Sequence, residues 1–294
     1  MEPLGAMDSG PAPAEPFTRV GIVGVGLIGG SIAMRARLAW PGVSIVGVYE
    51  DEVLRRAIAK GVIDHRRSGI RELADCDVVV LAAPVRAIVT ALPEASRLPG
   101  VVTDVGSTKR EIMRAAAGAG LTSFVGGHPM AGAEQGGLDH ARTDLFERRP
   151  WLLVNGAAFP AVASLVEAFV IGLGARPKWI DAESHDRTMA YVSHLPQLLS
   201  LALMACAGDT LGEDGLAISG QGFADMTRLS ASPFEVWQGI LETNADAIAG
   251  AIEALRARLP SAASELRDTA RMSDLFESAR DWHARRGPGY SRQR

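Results

Sequence analysis

Residues 20–31 read "VGIVGVGLIGGS" and contain the pattern Gly-x-Gly-x-x-Gly at Gly24, Gly26 and Gly29. The residues before Gly24 are typical of a short buried strand, and those after Gly26 are typical of a helix. In this context Gly24 permits a tight turn, Gly26 lets the backbone approach a pyrophosphate group, and Gly29 lets the helix pack closely on the strand. The stretch therefore predicts a strand, a turn and a helix that bind a dinucleotide.

An acidic residue after the second predicted strand indicates which dinucleotide is bound. Glu50 lies 21 residues after Gly29, where its carboxylate can accept hydrogen bonds from the adenosine ribose and repel a 2′-phosphate. This favours NAD over NADP, with Asp51 as the alternative acid if the strand register differs by one residue. The phosphates are expected beside Leu27 and Ile28, because a helix N-terminus offers unpaired N–H groups and the positive end of its dipole.

The rest of the chain divides into two patterns. From Arg19 to Asp181, strand-like runs of Val, Ile and Ala alternate with helical segments, which is typical of a parallel sheet covered on both faces. After Asp181 nearly all segments are helical, with predicted breaks at "GDTLGEDG", "SGQGFADMT" and "SASP". We therefore predict an α/β fold, with a Rossmann-type, mostly parallel sheet domain over residues 17–182 and an all-helical domain over residues 183–282.

Both ends of the chain are expected to be tails. Residues 1–16 contain four prolines, three acidic residues and no basic residue, so they lack the charged start and apolar run of a secretion signal. We predict that they are disordered. Residues 283–294 are basic and rich in Gly and Pro, which predicts a flexible tail.

Composition limits the classes of partner. The formal net charge of −4 gives no basic excess, so we expect no nucleic-acid partner. The two cysteines, Cys76 and Cys206, are too few for a disulfide framework or a Cys-based zinc site, which indicates the cytoplasm. His185 and His194 lie nine residues apart, on opposite faces of an ideal helix, so they do not form a metal site together.

One apolar run approaches the length of a membrane span. Residues 189–207 read "MAYVSHLPQLLSLALMACA" and include His194, Pro196, Gln197 and two serines. We therefore expect a helix that is buried on most sides, at a subunit interface, and no membrane partner. Pro196 lacks a donor for the carbonyl of Val192, which predicts a bend in this helix beside His194.

Polar or rigid residues follow several predicted strands, where ligands collect in open α/β sheets. Pro84, Ser107 and His128 each stand at such a position. Ser107 is a candidate helix N-cap as well as a candidate ligand contact. His128 lies in "GGHPMAGAEQGG", whose other residues are mostly small, and a neutral imidazole commonly takes a proton near pH 7. Farther along, Arg228 could form a helical salt bridge with Asp225 or bind a substrate carboxylate.

Five motifs together resemble the prephenate/arogenate dehydrogenase family of tyrosine biosynthesis, from about Arg19 to about Asn244. The motifs are "GIVGVGLIGGSIA", "TDVGSTK", "GGHPMAGAEQGG", "HDRTMAYVSHLPQ" and "GFADMTRLSASPFEVW". The resemblance implies an NAD(P)-binding Rossmann domain, a helical domain that forms most of a homodimer interface, and an active site between the two domains.

The resemblance also implies roles for individual residues. His128 is expected to be the catalytic hydrogen-bond acceptor for the ring hydroxyl, with Ser107 beside it near the nicotinamide. His194 is expected in the substrate site, Arg228 on a substrate carboxylate, and Glu134 paired with that arginine. Gln197 stands where some members carry a second histidine that faces the substrate, which bears on the choice between a keto and an amino side chain.

The implied reaction is the NAD-dependent oxidative decarboxylation of prephenate to 4-hydroxyphenylpyruvate. Arogenate dehydrogenase or a dual cyclohexadienyl dehydrogenase is the alternative. A β-hydroxyacid-type dehydrogenase is more remote, because such enzymes usually use a lysine of the helical domain and this chain has no lysine after Lys178. An NAD-binding sensor without catalytic activity is also more remote, because the set of His128, His194 and Arg228 is complete.

Overall fold

The computed structural model describes residues 17–133 and 135–285, so the tail predicted at residues 1–16 lies outside the described residues. The chain forms two compact units, divided between Ile248 and Ala249. The first unit contains a sheet and most of the helices, and the second contains the last helices. All residues considered below for the functional site belong to the first unit.

The described strands form one eight-stranded sheet in the order β3-β2-β1-β4-β5-β6-β7-β8. Neighbouring strands are parallel except β6 and β7, which confirms the predicted mostly parallel sheet. The strands are β1 (Arg19–Val23), β2 (Ser44–Val48), β3 (His65–Arg66), β4 (Val78–Leu81), β5 (Val101–Asp104), β6 (Phe124–Pro129), β7 (Pro150–Asn155) and β8 (Arg176–Trp179).

Helices connect most of the strands and then continue alone after β8, as predicted. The helices are α1 (Leu27–Ala39), α2 (Asp51–Ala59), α3 (Val85–Ala95), α4 (Arg110–Gly118), α5 (Pro160–Gly172), α6 (Ala182–Met189), α7 (Leu195–Ala217), α8 (Gln221–Thr227), α9 (Phe234–Thr243), α10 (Ala245–Arg256), α11 (Ala263–Arg267) and α12 (Thr269–Arg285). The division between the two units falls within α10.

Burial of the central strands explains the continuous apolar runs. All four residues of β4 are fully buried. Val78 and Val80 pack in one hydrophobic cluster, whereas Val79 and Leu81 pack in another. Because successive side chains of a strand point to opposite faces, both faces of the sheet are covered, and each buried side chain contributes about 1.5–3 kcal/mol.

The structure tests three details of the helical prediction. The predicted break in the "GDTLGEDG" segment is present inside α7, where Gly212 has the non-helical backbone angles φ +64° and ψ −172° and kinks the helix. The break predicted at "SGQGFADMT" lies at the start of this segment, because α7 ends at Ala217 and α8 begins at Gln221. Helix α12 continues to Arg285, three residues into the predicted C-terminal tail.

The apolar run also differs from expectation. The segment Ala182–Ala217 is 36 residues long, which is enough to span a membrane, and an 18-residue stretch within it has a mean hydropathy of 1.3 and is 33% buried. Leu199, Leu201 and Leu203 are 37–39% exposed. The prediction of a helix buried on most sides is therefore wrong for the single chain, because several of its leucines face outward.

Candidate active site

The glycine turn joins β1 to α1 at the carboxyl edge of the parallel strands. Gly24 has a φ of +97°, and a Cβ at this position would lie 2.2 Å from the carbonyl oxygen of Ala82. A Cβ on Gly29 would lie 1.9 Å from the carbonyl oxygen of Gly24. By contrast, a Cβ on Gly26 would have no heavy atom within 4 Å. Two glycines are therefore required by packing, whereas Gly26 borders open space at the start of α1, beside Leu27 and Ile28.

The acids after β2 lie next to this turn, because the backbone N–H of Gly24 donates to the carbonyl of Val48 over 2.8 Å. Glu50 is exposed and is the N-cap residue of α2. Asp51, the alternative ribose ligand, forms ion pairs with Arg66 and Arg55. These pairs leave Glu50 as the better candidate for the ribose.

Pro84 and Ser107 lie after the next two strands. Pro84 is exposed and precedes the first residue of α3. Ser107 is partly buried in the loop between β5 and α4. Ser107 is not the N-cap that the sequence allowed, because the N-cap of α4 is Lys109, whose side chain makes no capping hydrogen bond.

A carboxylate from the helical part of the chain caps α4 instead. The backbone N–H groups of Lys109 and Arg110 donate to the carboxylate oxygens of Asp186 over 2.7 and 3.0 Å. Asp186 is fully buried on α6. The cap therefore joins the loop that carries Ser107 to α6.

His128 occupies the carboxyl end of β6, where its side chain is partly buried. Its Nδ1 atom lies 2.9 Å from Nε2 of His185, and Nδ1 of His185 lies 2.7 Å from Oδ1 of Asp186. His185 is fully buried. No sequence pattern predicts this role for His185 or Asp186, and the only signal was their place at the start of the "HDRTMAYVSHLPQ" motif.

His194 ends a π-helical turn, Ala190–His194, which directly precedes α7 and Pro196. The predicted distortion beside His194 is thus present as a wide turn of the helix. His194 is 1% exposed, and its ring lies perpendicular to that of Trp237 at 6.0 Å.

Asn244 connects the two histidine-bearing parts of this helix. Its Nδ2 atom donates to the carbonyl of Asp186 over 2.8 Å and to Nδ1 of His194 over 3.2 Å. Its Oδ1 atom accepts from Arg110 over 2.8 Å. The prediction that His185 and His194 lie on opposite faces assumes an ideal helix, and the π-helical turn between them changes the helical register.

The electrostatic environment keeps the site histidines neutral. Burial, followed by the nearby His185, Lys109 and His194, holds the pKa of His128 well below 6.5. Burial also lowers the pKa of His194 to about 4. Burial opposes the ionisation of Asp186, but hydrogen bonds from His185, Arg110 and Lys109 outweigh it and lower the pKa of this carboxyl. Near neutral pH the site thus contains neutral imidazoles and an ionised carboxylate.

A buried ion pair supports the strand end that carries His128. Lys109 Nζ lies 2.6 Å from Oδ2 of Asp104, and both side chains are fully buried. The same carboxylate accepts the backbone N–H of Gly127 over 2.9 Å and that of Gly106 over 2.7 Å. Asp104 therefore ties β6 to the loop after β5, directly beside His128.

Gln197 is 1% exposed and uses its amide within the helical part of the chain. Nε2 donates to the carbonyl of Leu229 over 2.9 Å, and Oε1 accepts from Ser232 Oγ over 3.5 Å. Gln197 therefore anchors the 3₁₀ turn Arg228–Ala231. It also lines a cavity of about 130 Å³ with Ser232 and Trp237, so its expected contact with substrate stays a prediction.

Arg228 is exposed at the start of that 3₁₀ turn. Asp225, its alternative partner, accepts a hydrogen bond from Gln221 over 3.2 Å. Glu134 lies outside the described residues, so its expected pairing with Arg228 stays a prediction. Among residues 17–133 and 135–285, no group of three or more His, Cys, Asp and Glu side chains is arranged to hold a metal ion.

Two family models match the chain. Residues 32–177 match the prephenate dehydrogenase nucleotide-binding domain, and residues 181–280 match the prephenate dehydrogenase dimerization domain. The chain is 29% identical to a prephenate dehydrogenase of Lactococcus lactis over 270 residues, which cover 88% of this chain and 75% of that protein. It is 30% identical to a cyclohexadienyl dehydrogenase of Zymomonas mobilis, over 79% of this chain and 83% of that protein.

A solved structure has the same fold. The prephenate dehydrogenase of A. aeolicus, in complex with hydroxyphenyl propionate and NAD⁺, aligns with a TM-score of 0.84 and 28% identity. The alignment covers 93% of this chain and 99% of that one. The likeness thus includes both the sheet and the helices that surround His128.

Proposed function

This chain belongs to the prephenate dehydrogenase family, and we propose that it catalyses the NAD-dependent oxidative decarboxylation of prephenate to 4-hydroxyphenylpyruvate in tyrosine biosynthesis. The observation that carries the proposal is the neutral imidazole of His128 at the carboxyl end of β6. Ligands of open α/β sheets bind at this edge, and a neutral imidazole can accept the proton of a substrate hydroxyl.

The glycine turn fits the cofactor, because the space beyond Gly26 is open to an approaching pyrophosphate. The residues that would hold NAD are Gly24, Gly26, Leu27, Ile28, Gly29, Glu50, Pro84 and Ser107. Bound there, NAD would supply the acceptor for the hydride that leaves the carbon bearing the substrate hydroxyl. The exposed carboxylate of Glu50 would repel a 2′-phosphate, which supports NAD over NADP.

His128 takes the hydroxyl proton at Nε2, because its Nδ1 atom is occupied by His185. Loss of this proton together with the hydride from the same carbon turns the alcohol into a ring ketone, conjugated with the carbon that bears the ring carboxylate. Loss of CO₂ from this vinylogous β-keto acid makes the ring aromatic, so the reaction is effectively irreversible. The protein's own task is therefore to hold one proton acceptor and to orient the ring.

The other site residues are proposed to orient the substrate. Arg228 presents a planar guanidinium, which can bind a carboxylate through two parallel hydrogen bonds. His194 is neutral and accepts a hydrogen bond from Asn244 at Nδ1, so its Nε2–H is available as a donor. Ser107 is proposed to lie beside His128, near the nicotinamide.

Arogenate is the second candidate substrate. The similarity to a cyclohexadienyl dehydrogenase supports it, and Gln197, which stands where some members carry a histidine, leaves both side chains open. Prephenate and arogenate differ only in a keto or amino side chain. The choice between them is therefore an outcome of the assay below.

We also propose a cytoplasmic homodimer. Residues 181–280 match a dimerization domain, and outward-facing leucines of α7 offer an apolar surface for a second copy. Cys76 and Cys206 are both free thiols, as is usual in a reducing compartment.

The test is NADH or NADPH formation with prephenate and arogenate, each supplied with NAD and with NADP. We expect turnover with NAD, and the preferred substrate decides between the two candidates. The control is His128→Asn, which should bind NAD normally but lose about 10²- to 10⁴-fold in kcat. Turnover in none of the four mixtures, or near-normal turnover of the variant, would contradict the proposal.

A further inference from the structure

We propose that His185 and Asp186 are positioning residues that hold His128 with its hydrogen on Nδ1 and its lone pair on Nε2. The three side chains form a continuous series, with 2.9 Å between His128 and His185 and 2.7 Å between His185 and Asp186. The inference rests on the proposed function of His128 as the proton acceptor.

Asp186 determines which atom donates and which accepts in each hydrogen bond of the series. Its two oxygens accept the backbone N–H groups of Lys109 and Arg110, and Arg110 Nε lies 3.3 Å from Oδ2. All of these partners are donors, and they lie at the N-terminus of α4, where the helix dipole favours a negative charge. Asp186 is therefore an ionised carboxylate, which can only accept hydrogen bonds.

The hydrogen positions of both histidines follow from that carboxylate. Because Asp186 only accepts, the Nδ1 atom of His185 must carry a hydrogen. A neutral His185 then has its lone pair on Nε2, so the facing Nδ1 atom of His128 must donate. The opposite arrangement would set two lone pairs, or two hydrogens, against each other at one of the two contacts.

The positions of the three groups are fixed by separate elements. His128 lies on β6, whereas His185 and Asp186 lie on α6. Asn244 holds the backbone carbonyl of Asp186 over 2.8 Å, and both His185 and Asp186 are fully buried. When His128 takes up the substrate proton, the series also stabilises the resulting imidazolium through Nδ1–H, as the carboxylate of a Ser-His-Asp triad does.

NMR of protein labelled with ¹⁵N-histidine tests the hydrogen positions without any substrate. The chain has six histidines, and the signals of His128 are those absent from His128→Asn. At neutral pH we expect a protonated Nδ1 and an unprotonated Nε2 in the wild-type protein. The variant His185→Asn keeps an amide near Asp186 but cannot reach His128, so His128 should lose this preference. A hydrogen on Nε2 in the wild type, or no change in the variant, would overturn the proposal.

Kinetics of a matched pair of variants provides the second measurement. His185→Gln can place an amide oxygen near the position of Nε2, whereas His185→Asn is too short to do so. We expect kcat to fall about 100-fold in His185→Asn and by no more than about tenfold in His185→Gln, with the KM for the substrate nearly unchanged in both. Equal losses in the two variants, or a rise in KM alone, would indicate a structural role and overturn the proposal.

The two measurements also separate this inference from the proposed function. A wild-type protein that turns over neither prephenate nor arogenate, yet has the expected hydrogen positions, would contradict the proposed substrate and support the series. A wild-type protein that turns over the substrate but carries the His128 hydrogen on Nε2 would support the proposed function and contradict the positioning role of His185 and Asp186. NAD binding by each variant checks that the fold is intact.

Discussion

At the scale of single residues, the decisive property is that His128 is neutral in a partly buried position. Its pKa lies well below 6.5, chiefly because burial disfavours the imidazolium. His185 and His194 share this property, and both have lowered pKa values. The site therefore behaves as a set of neutral hydrogen-bonding rings rather than as a positive pocket.

The pH dependence of activity follows from this property. Only neutral His128 can accept the substrate proton, so activity is present above its pKa and lost as the pH falls through it. We expect kcat/KM for the substrate to show no acid limb at the ordinary histidine pKa of 6.5 and to decline only well below that value. A pH–rate profile checks this, and a limb centred near 6.5 would contradict it.

Stability should depend on pH through His194. Its pKa is about 4 in the folded chain and 6.5 in the unfolded chain, so the unfolded state binds the extra proton first. The free energy of unfolding should therefore fall as the pH drops from 6.5 towards 4, by up to about 1.4 kcal/mol per pH unit from this residue. In His194→Gln, the free energy of unfolding measured with urea should fall less steeply as the pH drops across this range. The same pH dependence in both proteins would refute the assignment.

At the scale of elements, the Lys109–Asp104 pair supports β6 from inside the protein. Lys109→Met would leave the Asp104 carboxylate buried without its counter-ion, although Gly106 and Gly127 still donate to it. We expect a loss of about 3–5 kcal/mol in the free energy of unfolding. The control is Lys60→Met, which removes an exposed partner of Asp139 and should have little effect. Equal, small effects of both changes in urea unfolding would contradict the argument.

The elements that the sequence predicts correctly are those with local signals. Val-rich strands, the glycine turn and the distortion before Pro196 all follow from backbone geometry and burial within a few residues. Gly212 is a further local signal, because its backbone angles of φ +64° and ψ −172° interrupt the helix inside the cluster of breakers that predicts a break. The contact of His128 with His185 joins residues 57 positions apart, so no local pattern could predict it.

At the scale of the whole molecule, the outward-facing leucines of α7 predict the oligomeric state. Leu199 and Leu203 are 37% and 39% exposed and lie four residues apart, so they share one face of the helix. Sedimentation should detect a dimer at micromolar concentration, and Leu199→Arg with Leu203→Arg should give a monomer. The control is Leu38→Arg, a 60% exposed leucine of α1, which should leave the dimer intact. A wild-type monomer would contradict the proposed interface.

The cap that Asp186 provides for α4 has a consequence for engineering the chain. A cut or a fusion point near residue 182 looks natural, because strands end there and helices begin. A fragment that ended at this point would expose the first N–H groups of α4 and lose the carboxylate that receives them. A chimera that takes its sheet from one relative and its helices from another must therefore keep an acid at position 186. It must also keep the backbone N–H groups of residues 109 and 110 within hydrogen-bond distance of that acid.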